Sequence, residues 1–177
     1  GSVSQPALHH ASGPVAVIHP DATPQQGPTS RVVVGIDGSP SSLEALGWAL
    51  EEARLRGGEL VVVHAWHMPY SGVYPYVGDA FDEAVFRRAA DETVDQALRD
   101  VGVSADDPSV KRRLVHQPPA KAVLDAAADA DLVVVGARGL GGFAGMLLGS
   151  VSHHISHHAP CPVVVTRTPG EARPAAR

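Results

Sequence analysis

The sequence predicts an α/β fold of the doubly wound type, an open five-stranded parallel sheet with helices on both faces. Two observations support this prediction. Short β-branched runs without polar alternation recur along the chain, and such runs are typical of parallel strands buried on both faces. Segments with the apolar spacing of helices lie between these runs, and this alternation implies right-handed crossover connections. Sheets of this kind bind ligands beyond the carboxyl ends of their strands.

The first strand and helix have clear boundaries in the sequence. Residues 31–36 form a continuous β-branched run between turn residues and predict a central strand. Ser39 as N-cap, Pro40 at the first helical position and Gly57 after the last turn predict a helix over about 40–56.

The second strand, at 60–63, is followed by a proline- and glycine-rich segment that predicts a long loop from Trp66 to Asp79. This loop holds half of the eight aromatic residues, namely Trp66, Tyr70, Tyr74 and Tyr76. It either packs onto the domain's own helices, covers a ligand or forms a partner-binding patch. An amphipathic pattern over about 80–101 then predicts the second helix.

The carboxyl-terminal half continues the alternation. A strand at 110–115 contains three consecutive basic residues, so we expect it near an edge of the sheet. A helix that starts with two prolines extends over about 118–130, and the apolar run 132–135 predicts another fully buried strand. A last helix near 149–158 precedes the strand at 163–165.

The amino terminus repeats part of the carboxyl terminus. At a constant offset of 148 residues, ten of the first seventeen positions are identical, starting with Gly1 to Ser4 on 149–152. Residues 1–19 therefore resemble the last helix and strand of a preceding copy of the domain. The first two residues, glycine and serine, fit a cloning scar equally well.

This repeat predicts how the chain is organised. A linker at 20–30 follows the fragment, the domain itself spans 31–168, and residues 169–177 form a disordered tail. The apolar segment 15–18 needs a partner, and we expect it to pair with the edge strand around 163–166 of the same chain or of a second protomer.

Composition restricts the class of protein. A net charge of -5 and the lack of a dense Lys/Arg stripe argue against nucleic-acid binding. No run of about 18 apolar residues and no leader-like start are present, so we expect no membrane association and a cytoplasmic location. Cys161 lies within an apolar run and is expected to be a buried small hydrophobe rather than a redox centre.

One glycine-rich segment has the spacing of an anion-binding loop. Gly136 and Gly139 follow a buried strand, and Gly149 and Ser150 come nine residues later at the start of a helix. Glycines allow a sharp turn and let main-chain N–H groups approach phosphate oxygens, and the helix start adds a positive dipole. Ser150 and Ser152 place hydroxyls in the first helical turn, where they bond a phosphate or cap the helix.

This spacing of glycine, two residues, glycine, nine residues, glycine and serine resembles the ATP-binding signature of universal stress proteins, and the match is complete. The turn Asp37-Gly38-Ser39 and the segment Val63-His64-Ala65 resemble the ends of that family's first two strands. The resemblance covers about 30–168 and implies a Rossmann-like fold of the adenine nucleotide alpha hydrolase type. Tandem copies occur in the family, which fits the repeat.

The resemblance also implies a cofactor and a site, ATP together with Mg²⁺. Asp37 and the backbone at Ala65 would meet the adenosine, and Arg138 would pair with a phosphate unless it is a solvated surface arginine. Asp37 also fits an ordinary turn-forming role and Ser150 a helix cap. The residues expected to hold ribose and phosphates are Gly136, Gly139, Gly149, Ser150, Val151 and Ser152.

The function that follows is an ATP-binding regulatory or stress-response module that forms a homodimer or pseudo-dimer through its last strand. The alternatives are a slow ATP hydrolase and a dimerisation module without nucleotide. A Walker loop and a catalytic lysine are missing, so an enzyme of fast phosphoryl transfer is not expected. His64 has no evident carboxylate partner for base catalysis. A metal site is not expected either, although His153, His154, His157 and His158 are paired at a spacing of four.

Overall fold

The computed structural model describes residues 6–8, 11, 13–19, 29–66, 83–104, 107–141 and 147–168. Within these ranges the chain forms one sheet with helices on both faces. The strands are β1 (Val15–Val17), β2 (Arg31–Ile36), β3 (Glu59–Trp66), β4 (Val110–His116), β5 (Leu132–Gly136) and β6 (Val163–Thr166). The helices are α1 (Pro40–Leu55), α2 (Glu83–Asp100), α3 (Pro119–Ala127) and α4 (Ser150–His158).

The strand order is β1-β6-β5-β2-β3-β4, and strands β2 to β6 are all parallel. The doubly wound parallel sheet is therefore confirmed, but it has six strands rather than the predicted five. The sixth is β1, which lies antiparallel to β6 of the same chain, with Val15 opposite Val165 and Val17 opposite Val163. At the other edge lies β4, as its basic residues predicted.

Two apolar layers cover the sheet because successive side chains of a strand point to opposite faces. Val33 and Val133 pack in one core with residues of α3 and α4, whereas Val32 and Val134 pack in the other with residues of α1 and α2. All four valines have no exposed surface. This double burial explains the continuous β-branched runs, because neither face of a central strand has to meet water.

The start of α1 has the local structure that its sequence predicts. Ser39 is the N-cap, and its Oγ accepts a hydrogen bond from Ser42 N at 3.3 Å. Pro40 occupies the first helical position, and Gly57 takes a φ of 60° just after the helix. That positive φ is a conformation that favours glycine.

Two boundaries differ from the prediction. Trp66 is the last residue of β3 rather than the start of a loop, because its ring is buried and stacks on His116 of β4 at a centroid distance of 4.5 Å. The rest of the predicted aromatic loop, 67–79, lies outside the described residues. α3 ends at Ala127 rather than near 130, since Ala130 N donates to the Ala127 carbonyl in a turn that leads into β5.

Cys161 is buried, as predicted, with 1% of its surface exposed. Burial, helped by the negative charge of Asp131, raises the pKa of its thiol to about 11, so the reactive thiolate is scarce at neutral pH. None of the described helices has the length and apolar character needed to cross a membrane. The predicted tail at 169–177 and residues 20–28 of the predicted linker lie outside the described ranges.

The burial of α2 leads to a prediction about stability. Leu98 is 1% exposed in the core below α2, whereas Val85 on the same helix is 62% exposed. Leu98→Ala should lower the free energy of unfolding by about 2–5 kcal/mol through lost burial and a cavity. Val85→Ala, the control, should change it by less than about 0.5 kcal/mol. Urea denaturation measures both, and equal effects would contradict this packing.

Candidate functional site

A cavity of about 570 Å³ opens at the carboxyl ends of β2, β3 and β5. β2 lies between β3 and β5 in the sheet, and the helices that follow β2 and β5, α1 and α4, pack on opposite faces. Because these helices lie on opposite faces, a crevice opens at this switch point. All nine predicted site residues line the cavity: Asp37, Ala65, Gly136, Arg138, Gly139, Gly149, Ser150, Val151 and Ser152.

The Asp37 carboxylate joins two loops at the mouth of this cavity. Its Oδ1 accepts a hydrogen bond from Ser39 N at 3.0 Å, within the turn after β2. Its Oδ2 accepts one from Leu140 N at 2.8 Å, in the loop after β5. Asp37 therefore is a turn-forming residue, but one that also fixes the loop after β5. The intervening Gly38 has a φ of 84°, which favours glycine in this turn.

These hydrogen bonds decide the charge of Asp37. Burial is the strongest single influence and by itself would raise the pKa of the carboxyl group. Hydrogen bonds from Ser39, Leu140 and Ser42 outweigh it together and hold the pKa of Asp37 below its ordinary value. Asp37 is therefore ionised at neutral pH and brings a negative charge to the wall of the cavity.

Two glycines of the loop after β5, Gly136 and Gly139, leave space for a neighbouring loop and do not have a positive φ. The positive-φ glycines of the described chain are at 38, 57 and 102, so none belongs to the described part of this loop. A Cβ on Gly136 would lie 2.6 Å from the backbone of Ser41, and one on Gly139 would collide with Oδ2 of Asp37. At these two positions, close approach between two loops is therefore a further reason for glycine, besides the predicted sharp turn and the predicted approach to phosphate.

Further hydrogen bonds hold the same two loops together. Arg138 N donates to Ser41 Oγ at 3.4 Å, and Ser39 Oγ donates to the Arg138 carbonyl at 3.5 Å. Asp37 N donates to Ser42 Oγ at 3.3 Å. The start of α1 and the loop after β5 therefore form one connected wall of the cavity.

The start of α4 forms a further part of the site, next to the loop after β5. The N-cap is Gly149, which has no side chain that could cap the helix. Ser150 is the first helical residue, and the interpretation of Ser150 as a cap is therefore wrong. The first N–H groups of a helix have no intrahelical acceptor. The N–H groups of residues 150–152 therefore remain available at the cavity wall, together with the exposed Ser150 side chain.

Ser152 has a different role from Ser150. It is buried, and its Oγ lies 2.9 Å from the Ala137 carbonyl and 3.0 Å from the Gly149 carbonyl. Gly149 N also donates to the Ala137 carbonyl, at 2.7 Å. The hydroxyl has one proton, which these two carbonyls share. Through these contacts Ser152 links the loop after β5 to the first turn of α4.

The apolar wall contains residues that the sequence reasoning missed. Pro119 and Val123 of α3 and Val63 of β3 line the cavity beside Ala65. Val63 could have been found from its place near the carboxyl end of a buried strand. The α3 residues could not, because their position depends on how that helix packs over the sheet.

The histidines considered for base catalysis and for metal binding lie at the cavity and on α4, respectively. His64 borders the cavity, but its Nδ1 bonds the Ile36 carbonyl at 3.0 Å and no carboxylate pairs with it among the described residues. On α4, the rings of 153 and 157 lie 4.6 Å apart and those of 154 and 158 lie 4.2 Å apart. Among the described residues no group of three or more His, Cys, Asp or Glu side chains is placed to hold a metal ion.

Comparisons with known proteins agree with this architecture. The family model of the universal stress protein family matches residues 28–167. A universal stress protein of Mycolicibacterium smegmatis is 42% identical over 172 residues, which cover 94% of this chain and 55% of that protein. The chain spans about half the length of the curated relatives it matches.

Solved structures show the same fold. The structure of UspA from Lactobacillus plantarum superposes with a TM-score of 0.66 at 22% identity and covers 80% of this chain and 100% of its own. A universal stress protein crystallised in complex with cAMP has a TM-score of 0.50 at 29% identity and covers 78% of this chain and 96% of its own. The chain therefore belongs to the universal stress protein family.

Proposed function

We propose that this chain is an ATP-binding regulatory module, which binds an adenine nucleotide and responds by a change of conformation or association rather than by turning over a substrate. One observation carries the proposal. The uncapped amino terminus of α4 presents the N–H groups of residues 150–152 to a cavity of nucleotide size at the switch point of the sheet.

The cavity offers suitable groups to each part of such a ligand. The apolar side chains of Val63, Pro119 and Val123 offer a surface for an adenine ring, and the Ala65 backbone lies beside them. Asp37 is ionised, and carboxylate oxygens that already accept one hydrogen bond retain lone pairs for ribose hydroxyls. The relative crystallised with cAMP supports an adenine nucleotide as the class of ligand.

The phosphates of the nucleotide would contact main-chain N–H groups and one cation. The helix start supplies N–H donors and a positive dipole, and Arg138 is the one Lys or Arg among the described residues that line the cavity. Asp37 is the one carboxylate among them. A Mg²⁺ ion would therefore be held chiefly by phosphate oxygens and water, with the Ser150 hydroxyl within the same wall.

This set of groups supports binding better than catalysis. Among the described residues of the cavity there is no lysine, and no second carboxylate is present to orient an attacking water. Nδ1 of His64 is engaged with the Ile36 carbonyl. Hydrolysis of ATP, if it occurs, should thus be slow, and the glycine motif argues against a module that has lost its nucleotide.

Direct identification of the ligand tests the proposal. Denaturation of the freshly purified protein should release an adenine nucleotide, which mass spectrometry identifies. Calorimetry of the protein freed of nucleotide should show saturable binding of ATP with Mg²⁺. Turnover of many ATP molecules per second would favour the hydrolase. Absence of both bound nucleotide and binding heat would favour the dimerisation module.

A pair of glycine substitutions tests the phosphate loop. Gly139→Ala should weaken ATP binding at least about tenfold, equivalent to about 1.4 kcal/mol, because the new Cβ displaces the Asp37 carboxylate. A Cβ at Gly141, two residues further on, meets no atom within 4 Å, so Gly141→Ala is the control and should bind nearly as the parent does. Equal calorimetric affinities in the two variants would contradict the role given to the loop.

Asp37→Asn should lower both ATP affinity and stability, because an amide has one acceptor oxygen and would turn an NH2 group toward one of the two N–H groups that the carboxylate now binds. The folded-state pKa of Asp37 is depressed, so its contribution is fully present above the ordinary pKa of about 3.9 and is lost as the pH falls through the folded-state pKa. We expect a loss of about 1 kcal/mol at pH 7 that disappears in strong acid.

Urea denaturation from pH 7 to pH 2 measures this difference. Asp107→Asn is a suitable control for affinity, because Asp107 likewise accepts a hydrogen bond from the N–H two residues on, at Ser109, but is not among the residues that line the cavity. A stability difference between the parent and Asp37→Asn that stays constant over this pH range would rule out the ionised carboxylate as its origin.

A further inference from the structure

We propose that His154 and His158, on the exposed face of α4, form a binding site for a divalent transition-metal ion such as Ni²⁺, Zn²⁺ or Cu²⁺. The ion is held by one imidazole nitrogen of each residue and completes its coordination with water. Three features support the site, namely the placement of the two rings, the nitrogen that each ring offers, and their position at the end of the helix. Nucleotide binding is not required for it.

The two rings are neighbours because their residues are four positions apart on one helix. Their centroids lie 4.2 Å apart and their planes differ by 21°. Both side chains are exposed, whereas Ile155 and Ser156 of the same helix are buried. The pair is therefore accessible to an ion from solution, and histidines at this spacing on a helix can bind one Zn²⁺ together.

The structure fixes which nitrogen His158 offers. Its Nδ1 lies 2.8 Å from the carbonyl oxygen of His154. Because a carbonyl oxygen can only accept a hydrogen bond, Nδ1 carries the proton, and the neutral ring keeps its lone pair on Nε2. Metal-binding histidines are commonly oriented in this way, by a hydrogen bond from the other ring nitrogen to a backbone carbonyl or a carboxylate.

The ring of His154 can adjust to the ion. Within the described part of the chain its nitrogens make no hydrogen bond, and its ring contact is the stack on His158. Two nitrogens bound tetrahedrally to one Zn²⁺ at about 2.0–2.1 Å lie about 3.3 Å from each other. Rings whose centroids are already 4.2 Å apart can reach this separation by rotation of the His154 side chain.

The pair formed by His153 and His157 is less suitable. Its centroids lie 4.6 Å apart and its planes differ by 31°. Nδ1 of His157 lies 2.9 Å from the His153 carbonyl oxygen and 3.3 Å from Ser156 Oγ, so two neighbours hold this ring. This second pair offers a matched control on the same helix.

The surroundings select the class of ion. Imidazole nitrogens suit Zn²⁺, Ni²⁺ and Cu²⁺, whereas Mg²⁺ and Ca²⁺ prefer oxygen ligands, and α4 has no carboxylate in its sequence. The pair lies at the carboxyl end of the helix, where the dipole favours a cation. No third His, Cys, Asp or Glu among the described residues joins the pair, which is why water completes the coordination.

Calorimetric titration with Ni²⁺ tests the site, with the whole chain, no nucleotide and no histidine affinity tag. The tightest site should take one ion per chain, and excess Mg²⁺ should not displace it. His154→Ala and His158→Ala should each weaken binding at least about tenfold, because the second imidazole of a pair binds at a high effective concentration. His153→Ala, the control, should bind nearly as the parent does.

Circular dichroism confirms that each variant keeps the fold, which is expected because the three side chains are exposed. An equal loss of affinity in His153→Ala, or unchanged affinity in His154→Ala or His158→Ala, overturns the proposal.

A second measurement locates the ion without any substitution. Paramagnetic Cu²⁺, added well below one equivalent, should broaden the ring-proton NMR signals of His154 and His158 first. The signals of His64, at the cavity, and of His116, stacked on Trp66, should remain sharp. Broadening that starts at His64 or His116, or that is equal at all histidines, also overturns the proposal.

Discussion

The close approach of two loops at the carboxyl edge of the sheet is the constraint on which the site depends. β2 and β5 are adjacent parallel strands, so the turn after β2 and the loop after β5 leave the sheet side by side. They meet where Gly136 and Gly139 have no side chain, and the Asp37 carboxylate bridges them by accepting the Leu140 N–H. A side chain at either glycine would move the wall of the cavity.

The same loops set the electrostatic character of the cavity. The carboxylate of Asp37, the side chain of Arg138 and the amino terminus of α4 all line its wall. A nucleotide has groups complementary to these, with hydroxyls on the ribose and negative charge on the phosphates. In the proposed complex most of the donors for phosphate would be backbone groups held by the fold, which cost little reorganisation on binding but supply no group for proton transfer.

Local patterns predicted the elements of the fold well, and non-local packing decided what they missed. Buried strands such as 132–136 and capped helices such as 40–55 can be read from the sequence, because burial on two faces and N-cap chemistry act within a few residues. Trp66 was assigned to a loop because the stacking partner that holds it in β3, His116, is 50 positions away. All nine predicted site residues line one cavity, yet Val123 was missed since only the packing of α3 places it there.

The amino-terminal repeat shows how one short sequence can specify both sides of an interface. Strands related by a two-fold axis need only one pattern, and 15–17 and 163–165 differ only at the central position. Arg167 connects this interface to the site, because its Nη2 donates to the carbonyls of Leu8 and Leu147, and Leu147 lies two residues before the N-cap of α4. Contacts of the amino-terminal segment therefore reach the residues just before α4, whose first turn lines the cavity.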